Sequence, residues 1–155
     1  MRILVTGATG YVGGYVSARL LEEGHEVVAL SRSGPGADRA VAEQAYGDVT
    51  TGEGLADAMR GADAVVHLVG IIQERGENTF ERVHVDGTRN VLEAAHAQGV
   101  RRLVHMSAIG ADRSAESRYQ RTKGRAEELV ESSGLEYTIM RPSLIFGAGD
   151  AFFGG

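Results

Sequence analysis

The sequence contains no cysteine, and this absence excludes two kinds of site. Because none of its 155 residues is Cys, disulfides and thiolate metal centres are excluded. Apolar runs are short, and the N-terminus enters a strand-like segment without a signal peptide. We therefore expect a cytoplasmic protein without a membrane span.

Lysine is also scarce, and almost all of the positive charge comes from arginine. The formal net charge is −5 and no basic cluster is present, so nucleic acid is not an expected partner. Lys123 is the only lysine among 16 basic residues. Because arginine supplies every other positive charge, the single ammonium group calls for a specific explanation.

Strand-like and helix-like patterns alternate along the whole chain. With 43% hydrophobic residues and 22 glycines, the composition is that of one soluble domain. Strands are predicted at 2–6, 26–30, 44–47, 64–69, 102–106 and 136–140. Helices are predicted at 11–23, in a short piece after Asp38, and at 54–60, 79–98 and 118–132. Helices are expected to end at Gly24, Gly61, Gly99 and Gly134.

This alternation predicts an α/β fold. The expected architecture is a doubly wound parallel sheet of the Rossmann type, with strand order 3-2-1-4-5-6 and helices on both faces. We expect residues 1–155 to form one domain of this type, a fold that commonly binds dinucleotides. The apolar segment 142–155, with Phe152 and Phe153 near its end, is expected to begin a truncated substrate-binding region.

A glycine-rich turn joins the first predicted strand to the first predicted helix. Its glycines permit a tight turn, close approach of backbone N–H groups to phosphate oxygens, and close packing of the helix. The positive end of the helix dipole then faces the anion. A turn of this kind without a ligand is the alternative. The predicted pyrophosphate contacts are Gly7, Thr9, Gly10, Tyr11, Val12 and Gly13.

The residues at the end of the second predicted strand favour NADP over NAD as the cofactor, although NAD is possible. NAD-binding folds place an acidic residue here for the ribose hydroxyls. This chain instead has Ser31 and Arg32, and a guanidinium with a neighbouring hydroxyl suits a 2′-phosphate. A solvated loop arginine is the alternative interpretation.

Two further segments are expected at carboxyl ends of strands, where an open α/β sheet binds its ligand. Asp48 is equally explained by a role in its own turn. The predicted contacts to adenine and the central phosphates are Gly47, Asp48, Val49, Leu68, Val69 and Gly70.

Tyr119 and Lys123 lie four residues apart, which places them on one face of a helix. A nearby ammonium lowers the pKa of a phenol, so Tyr119 is predicted to be a general acid or base. Lys123 is also expected to hold the ribose of the cofactor. The alternative is a partly buried tyrosine beside a surface lysine.

These motifs resemble the extended and atypical short-chain dehydrogenase/reductases. The resemblance rests on Thr6-Gly7-x-x-Gly10-x-x-Gly13, Asp48-Val49, Tyr119-x-x-x-Lys123 and Arg141-Pro142, in that order. The segment 84–95 resembles the epimerase/dehydratase group. The segments 106–111 and 141–147 are similar to NmrA-like proteins and to the NADPH-binding accessory subunit of respiratory complex I.

The resemblance implies further site residues and two candidate functions. It implies that Ser107 orients a carbonyl oxygen, that Pro142 contacts the cofactor and that Asn90 ties its helix to a strand end. Active relatives carry a Ser or Thr after the fifth strand; Ser107 is present there, but if the family's hydroxyl belongs at the next position, it is absent, because residue 108 is Ala. One function is hydride transfer to a small carbonyl or sugar-nucleotide substrate. The other is a non-catalytic NADP(H)-binding sensor or assembly module.

Two expectations concern histidine and assembly. The five histidines show no metal-ligand spacing, and His67 and His105 are expected to be core residues. The resemblance implies a homodimer through the helices at 79–98 and 118–132.

Overall fold

A computed structural model describes residues 1–33 and 43–147. Its six parallel strands lie in the order β3-β2-β1-β4-β5-β6, which confirms the predicted topology. The strands are β1 (Arg2–Thr6), β2 (Glu26–Ser31), β3 (Glu43–Tyr46), β4 (Ala64–His67), β5 (Arg102–Met106) and β6 (Glu136–Met140). The α-helices are α1 (Tyr11–Glu22), α2 (Leu55–Ala58), α3 (Gly87–Ala97) and α4 (Arg118–Glu131), and a π-helical segment (Glu81–Asp86) leads into α3.

The core consists of two apolar layers because alternate residues of each strand point to opposite faces of the sheet. Leu4 and Val28 belong to the layer that includes buried residues of α2, α3 and α4. Ile3 and Val27 belong to the opposite layer, against which Leu20 of α1 packs. Helices therefore cover both faces, as a doubly wound sheet requires.

Several predicted boundaries were wrong for local reasons. β4 ends at His67 rather than at residue 69, and further along the same loop the backbone N–H of Ile71 donates to the ring of His84. The helix predicted at 54–60 is reduced to Leu55–Ala58, since Gly54 has φ +74°, outside the helical region. The helix predicted at 79–98 begins instead with the π-helical segment.

Other predicted elements agree with the structure to within one residue. The four glycines expected at helix ends all have positive φ, between +69° and +82°, as a left-handed cap requires. The short helix expected after Asp38 lies outside the described residues. Within residues 1–33 and 43–147, no helix has the length and apolarity needed to span a bilayer.

Candidate functional site

A cleft of about 260 Å³ lies at the carboxyl ends of the central strands. This is the edge where an open parallel sheet binds its ligand. Ten of the predicted cofactor contacts line it: Gly7, Thr9, Gly10, Ser31, Arg32, Asp48, Val49, Leu68, Val69 and Gly70. Gly47, predicted together with Asp48 and Val49, also lines it. Five further lining residues were not predicted: Leu30, Thr50, Ile71, Asn78 and Val83. Adjacency along the chain was the available signal for the first three, whereas Asn78 and Val83 had none.

The three glycines of the first turn have different surroundings. Gly7 has φ +71°, a conformation that favours glycine. A Cβ on Gly13 would lie 2.0 Å from the carbonyl oxygen of Gly7, so α1 can pack here only without a side chain. A Cβ on Gly10 would approach only that same oxygen, at 3.3 Å, and would otherwise project into open space. Gly10 therefore faces the cleft, whereas Gly13 faces the protein.

Asp48 has both of the roles that the sequence left open, one in its own turn and one at the cleft. Its side-chain Oδ1 accepts hydrogen bonds from the backbone N–H and the hydroxyl of Thr50, at 2.8 and 2.7 Å. The residue also lines the cleft. The Asn90 amide donates to the Val49 carbonyl oxygen at 2.8 Å, which confirms that it ties α3 to the end of a strand. These bonds hold the loop after β3 in place beside Arg32.

Lys123 is buried next to the cleft without lining it. Its Nζ donates to the carbonyl oxygen of Met106 at 2.8 Å, and a Cβ on Gly70 would lie 3.6 Å from Nζ. Burial lowers the pKa of Lys123 to about 8, against the opposing effect of Glu127. Lys123 is therefore a weakly solvated ammonium directly behind the Gly70 backbone.

Glu127 connects Lys123 to the segment after β6. It lies one helical turn beyond Lys123 and is only 4% exposed. Both carboxylate oxygens accept from the guanidinium of Arg141, with Nε at 2.8 Å from Oε1. A carboxylate held by a bidentate arginine has a fixed geometry, so the Arg141-Pro142 motif anchors the helix that carries Lys123.

The pKa of Tyr119 shifts in the direction opposite to the one predicted. Burial raises the pKa of Tyr119 above its ordinary value, whereas the sequence predicted a value lowered by Lys123. The desolvation cost of a phenolate is the larger influence here. The rings of Phe80 and His84 pack edge-on against Tyr119, with centroids at 5.8 and 5.4 Å. Tyr119 is therefore a protonated phenol at neutral pH.

Ser107 occupies a different environment from the one predicted. Its side-chain oxygen is buried and has no hydrogen-bond partner among the described residues, while its backbone N–H donates to Met140 at 2.7 Å. The next residues turn toward β6, where the Ile109 N–H donates to the carbonyl oxygen of Pro142. Five predicted contacts lie outside the cleft lining: Tyr11, Val12, Gly13, Lys123 and Pro142.

His67 and His105 are core residues, as predicted, but their hydrogen bonding differs. Both are 1% exposed and their rings are 5.4 Å apart. His67 Nδ1 lies 2.7 Å from the hydroxyl of Thr6. Neither ring nitrogen of His105 has a partner within residues 1–33 and 43–147. Burial lowers the pKa of both groups, that of His67 to about 3, so both imidazoles are neutral.

Replacing His105 by Leu is expected to stabilise the protein by about 1 kcal/mol at neutral pH, because an unpaired buried polar group is destabilising. The gain should increase as the pH falls below about 6.5. In that range the unfolded wild type binds a proton at His105 that the folded state excludes, so the wild type loses stability that the variant keeps. Urea unfolding at two pH values measures the difference.

The matched control is His67→Leu, which leaves the buried Thr6 hydroxyl without its imidazole partner and should lower the unfolding free energy at neutral pH. A His105→Leu protein that is no more stable than wild type would contradict the prediction.

The chain is similar to known proteins over almost its whole length. A family of NAD(P)H-binding domains matches residues 7–148. Ceramide reductase of Caulobacter vibrioides is 33% identical over 152 residues, which cover 96% of this chain and 47% of the reductase. The 40 kDa subunit of mitochondrial NADH-ubiquinone oxidoreductase from Neurospora crassa is 31% identical over 153 residues, which cover 94% of this chain and 41% of the subunit. The chain thus spans less than half the length of these two relatives.

Among solved structures, a short-chain dehydrogenase/reductase superfamily protein of Agrobacterium tumefaciens with bound NAD has a TM-score of 0.82 and 31% identity. The match covers 99% of this chain and 54% of that protein.

Proposed function

Because the chain belongs to the NAD(P)H-binding family, within the short-chain dehydrogenase/reductase superfamily, we propose that it binds NADP(H) in the cleft and uses Tyr119 and Lys123 for hydride-transfer chemistry. The family assignment confirms the resemblance to the short-chain dehydrogenase/reductases, and the solved relatives include a member of the NAD-dependent epimerase/dehydratase family. The similarity to NmrA-like proteins stays a prediction. The proposal concerns the cofactor preference, the catalytic pair and the substrate class.

The observation that carries the proposal is the position of Gly10 at the start of α1. Its open side faces the cleft, and a helix N-terminus with a free approach is a favourable place for a pyrophosphate. Arg32 and Ser31, at the end of β2, would contact a ribose 2′-phosphate. Lys123, behind Gly70, would hold the nicotinamide ribose. The lining therefore fits an extended dinucleotide.

The proposed chemistry follows from the protonation states of Tyr119 and Lys123. A bound nicotinamide cofactor supplies or accepts the hydride. Tyr119 keeps its proton at neutral pH because burial raises its pKa, so it is suited to donate a proton to a carbonyl oxygen. Lys123 stays an ammonium below about pH 8 and supplies the fixed positive charge. The substrate class is a small carbonyl compound or a sugar nucleotide.

A second candidate function is supported by Ser107. Its oxygen is buried and Ala108 follows it, so neither position offers a hydroxyl to a reacting carbonyl. A protein that binds NADP(H) as a sensor or assembly module needs no such group. The relative from Neurospora crassa is a subunit of a larger complex, which agrees with a binding role. The homodimer through α3 and α4, and the cytoplasmic location, also stay predictions.

The cofactor preference gives a direct test of the Arg32 assignment. NADPH is expected to bind at least about tenfold more tightly than NADH, which corresponds to about 1.4 kcal/mol, because the guanidinium pairs with the 2′-phosphate. Isothermal titration calorimetry with both cofactors measures this ratio.

Two variants serve as controls for this preference. Arg32→Ala should remove it by weakening NADPH binding alone, whereas Arg19→Ala, on the exposed outer side of α1, should leave it unchanged. Equal affinities for the two cofactors in the wild type, or a preference that survives Arg32→Ala, would refute the assignment.

A further inference from the structure

His84 is a buried histidine that joins three parts of the site. It lies on the π-helical segment and is 2% exposed. The backbone N–H of Ile71, in the cleft-lining loop after β4, donates to its Nε2 at 3.1 Å. Its Nδ1 lies 2.9 Å from the hydroxyl of Thr122 on α4. A single imidazole thus connects the cleft loop to the helix that carries Tyr119 and Lys123.

The direction of these bonds follows from the chemistry of a neutral imidazole. Nε2 accepts from the Ile71 N–H, so Nε2 carries no proton and Nδ1 carries one. Burial and the nearby Lys123 charge lower the pKa of His84 to about 3, which excludes the doubly protonated ring at neutral pH. Nδ1–H therefore donates to the Thr122 hydroxyl, which in turn donates to the Tyr119 carbonyl oxygen at 3.0 Å.

The same ring also packs against the phenol of Tyr119. The His84 and Tyr119 rings meet edge to face at 83°, with centroids 5.4 Å apart. Phe80 stacks on His84 at 5.6 Å and lies 5.8 Å from Tyr119, so the three rings form one cluster. Edge-to-face and stacked contacts of this kind restrict ring orientation. The π-helical geometry is itself a feature often found at functional sites.

We propose that His84 is a positioning residue for Tyr119, which it orients through the Thr122 hydroxyl and through direct ring contact, and that it fixes α4 relative to the loop after β4. The role rests on the proposed function of Tyr119. His84 is not among the residues that line the cleft, so its effect on the cofactor is indirect.

The first test uses Thr122, which reaches the backbone of Tyr119 without touching its ring. In protein labelled with carbon-13 in the tyrosine rings, the Tyr119 signal is identified among the five tyrosines by its loss in Tyr119→Phe. Thr122→Val, which keeps the shape and removes the hydroxyl, should shift the Tyr119 signal. Thr122→Ser, which keeps the hydroxyl, should leave it at the wild-type position. No shift in the Val variant, or equal shifts in both variants, would overturn the proposal.

The second test separates the hydrogen bond from the ring contact. His84→Leu and His84→Asn both remove the ring, but an Asn amide can still donate to Thr122. The Tyr119 signal should lie closer to wild type in His84→Asn than in His84→Leu. Lower thermal stability in both, with identical Tyr119 signals, would show that His84 serves core packing alone and would overturn the proposal.

NADPH titration of the same samples distinguishes a failure of the proposed function from a failure of the positioning role of His84. The dissociation constant of the Thr122 variants should stay within about threefold of wild type, because neither Thr122 nor His84 lines the cleft. A wild-type protein that binds no NADPH would contradict the proposed function, while the Tyr119 signals would still decide whether His84 positions that ring.

Discussion

Replacing Gly10 by Val is expected to weaken NADPH binding at least about 100-fold, or about 2.7 kcal/mol, while the domain stays folded. The backbone at Gly10 has φ −77° and ψ 173°, which valine adopts without strain. Its side chain would project into the cleft, where it would exclude the phosphates from the N-terminus of α1. Calorimetry measures the loss, and circular dichroism measures the fold.

Gly13 provides the matched control, since it lies one helical turn away and faces the protein. A Cβ there would lie 2.0 Å from the carbonyl oxygen of Gly7 and 2.7 Å from the Cα of Ala8. Because both contacts are with backbone, the loop itself must move. Gly13→Ala should therefore lower the unfolding free energy by about 2 kcal/mol or more. Undiminished NADPH binding by a folded Gly10→Val protein would place the ligand elsewhere.

The sheet order could be predicted from the sequence because it depends on repeated, local signals. Apolar strands such as Arg2–Thr6 and Arg102–Met106 alternate with amphipathic helices, and four of the five predicted helices are followed by a glycine that the structure places at positive φ. Right-handed crossovers then leave few topologies open. The cleft follows from the same argument, since ten of its lining residues end strands or begin the loops after them.

Contacts between distant segments could not be predicted in the same way. Nothing in the local pattern shows that Ile71 turns away to bond the ring of His84, which lies 13 residues further along the chain. The burial of Ser107 likewise depends on how the loops after β5 and β6 meet. The direction of the Tyr119 pKa shift was predicted from one neighbour in the sequence, whereas the partial burial of the residue determines it.

These distant contacts favour a proton donor over a base at Tyr119. Phe80 and His84 pack against the ring and cover part of it, and this partial burial makes a phenolate less favourable. Lys123 donates to the Met106 carbonyl oxygen, and the charge that raises its pKa against the effect of burial is that of the Glu127 carboxylate, one helical turn away. For the proposed hydride transfer, we therefore expect reduction of a carbonyl, in which the phenol gives up its proton as the oxygen gains charge, to be favoured over oxidation of an alcohol.

Tyr119→Phe is expected to lower the turnover of a carbonyl substrate by about a thousandfold, within the range for loss of a general acid. The variant should keep its affinity for NADPH, because Tyr119 is not among the residues that line the cleft. The test pairs NADPH oxidation across a panel of aldehydes and ketones with the thermal shift that NADPH produces by mass action. Tyr137→Phe, at the edge of the sheet on β6, is the control that should change neither quantity.

The two measurements together separate the candidate functions, because binding and turnover depend on different residues. Oxidation by the wild type that is lost in Tyr119→Phe, with an unchanged thermal shift, would support hydride transfer with Tyr119 as proton donor. Oxidation that persists in Tyr119→Phe would remove Tyr119 from the chemistry. A thermal shift in both proteins without oxidation in either would favour the binding module, in which the buried Ser107 oxygen and Ala108 leave a reacting carbonyl without a hydroxyl partner.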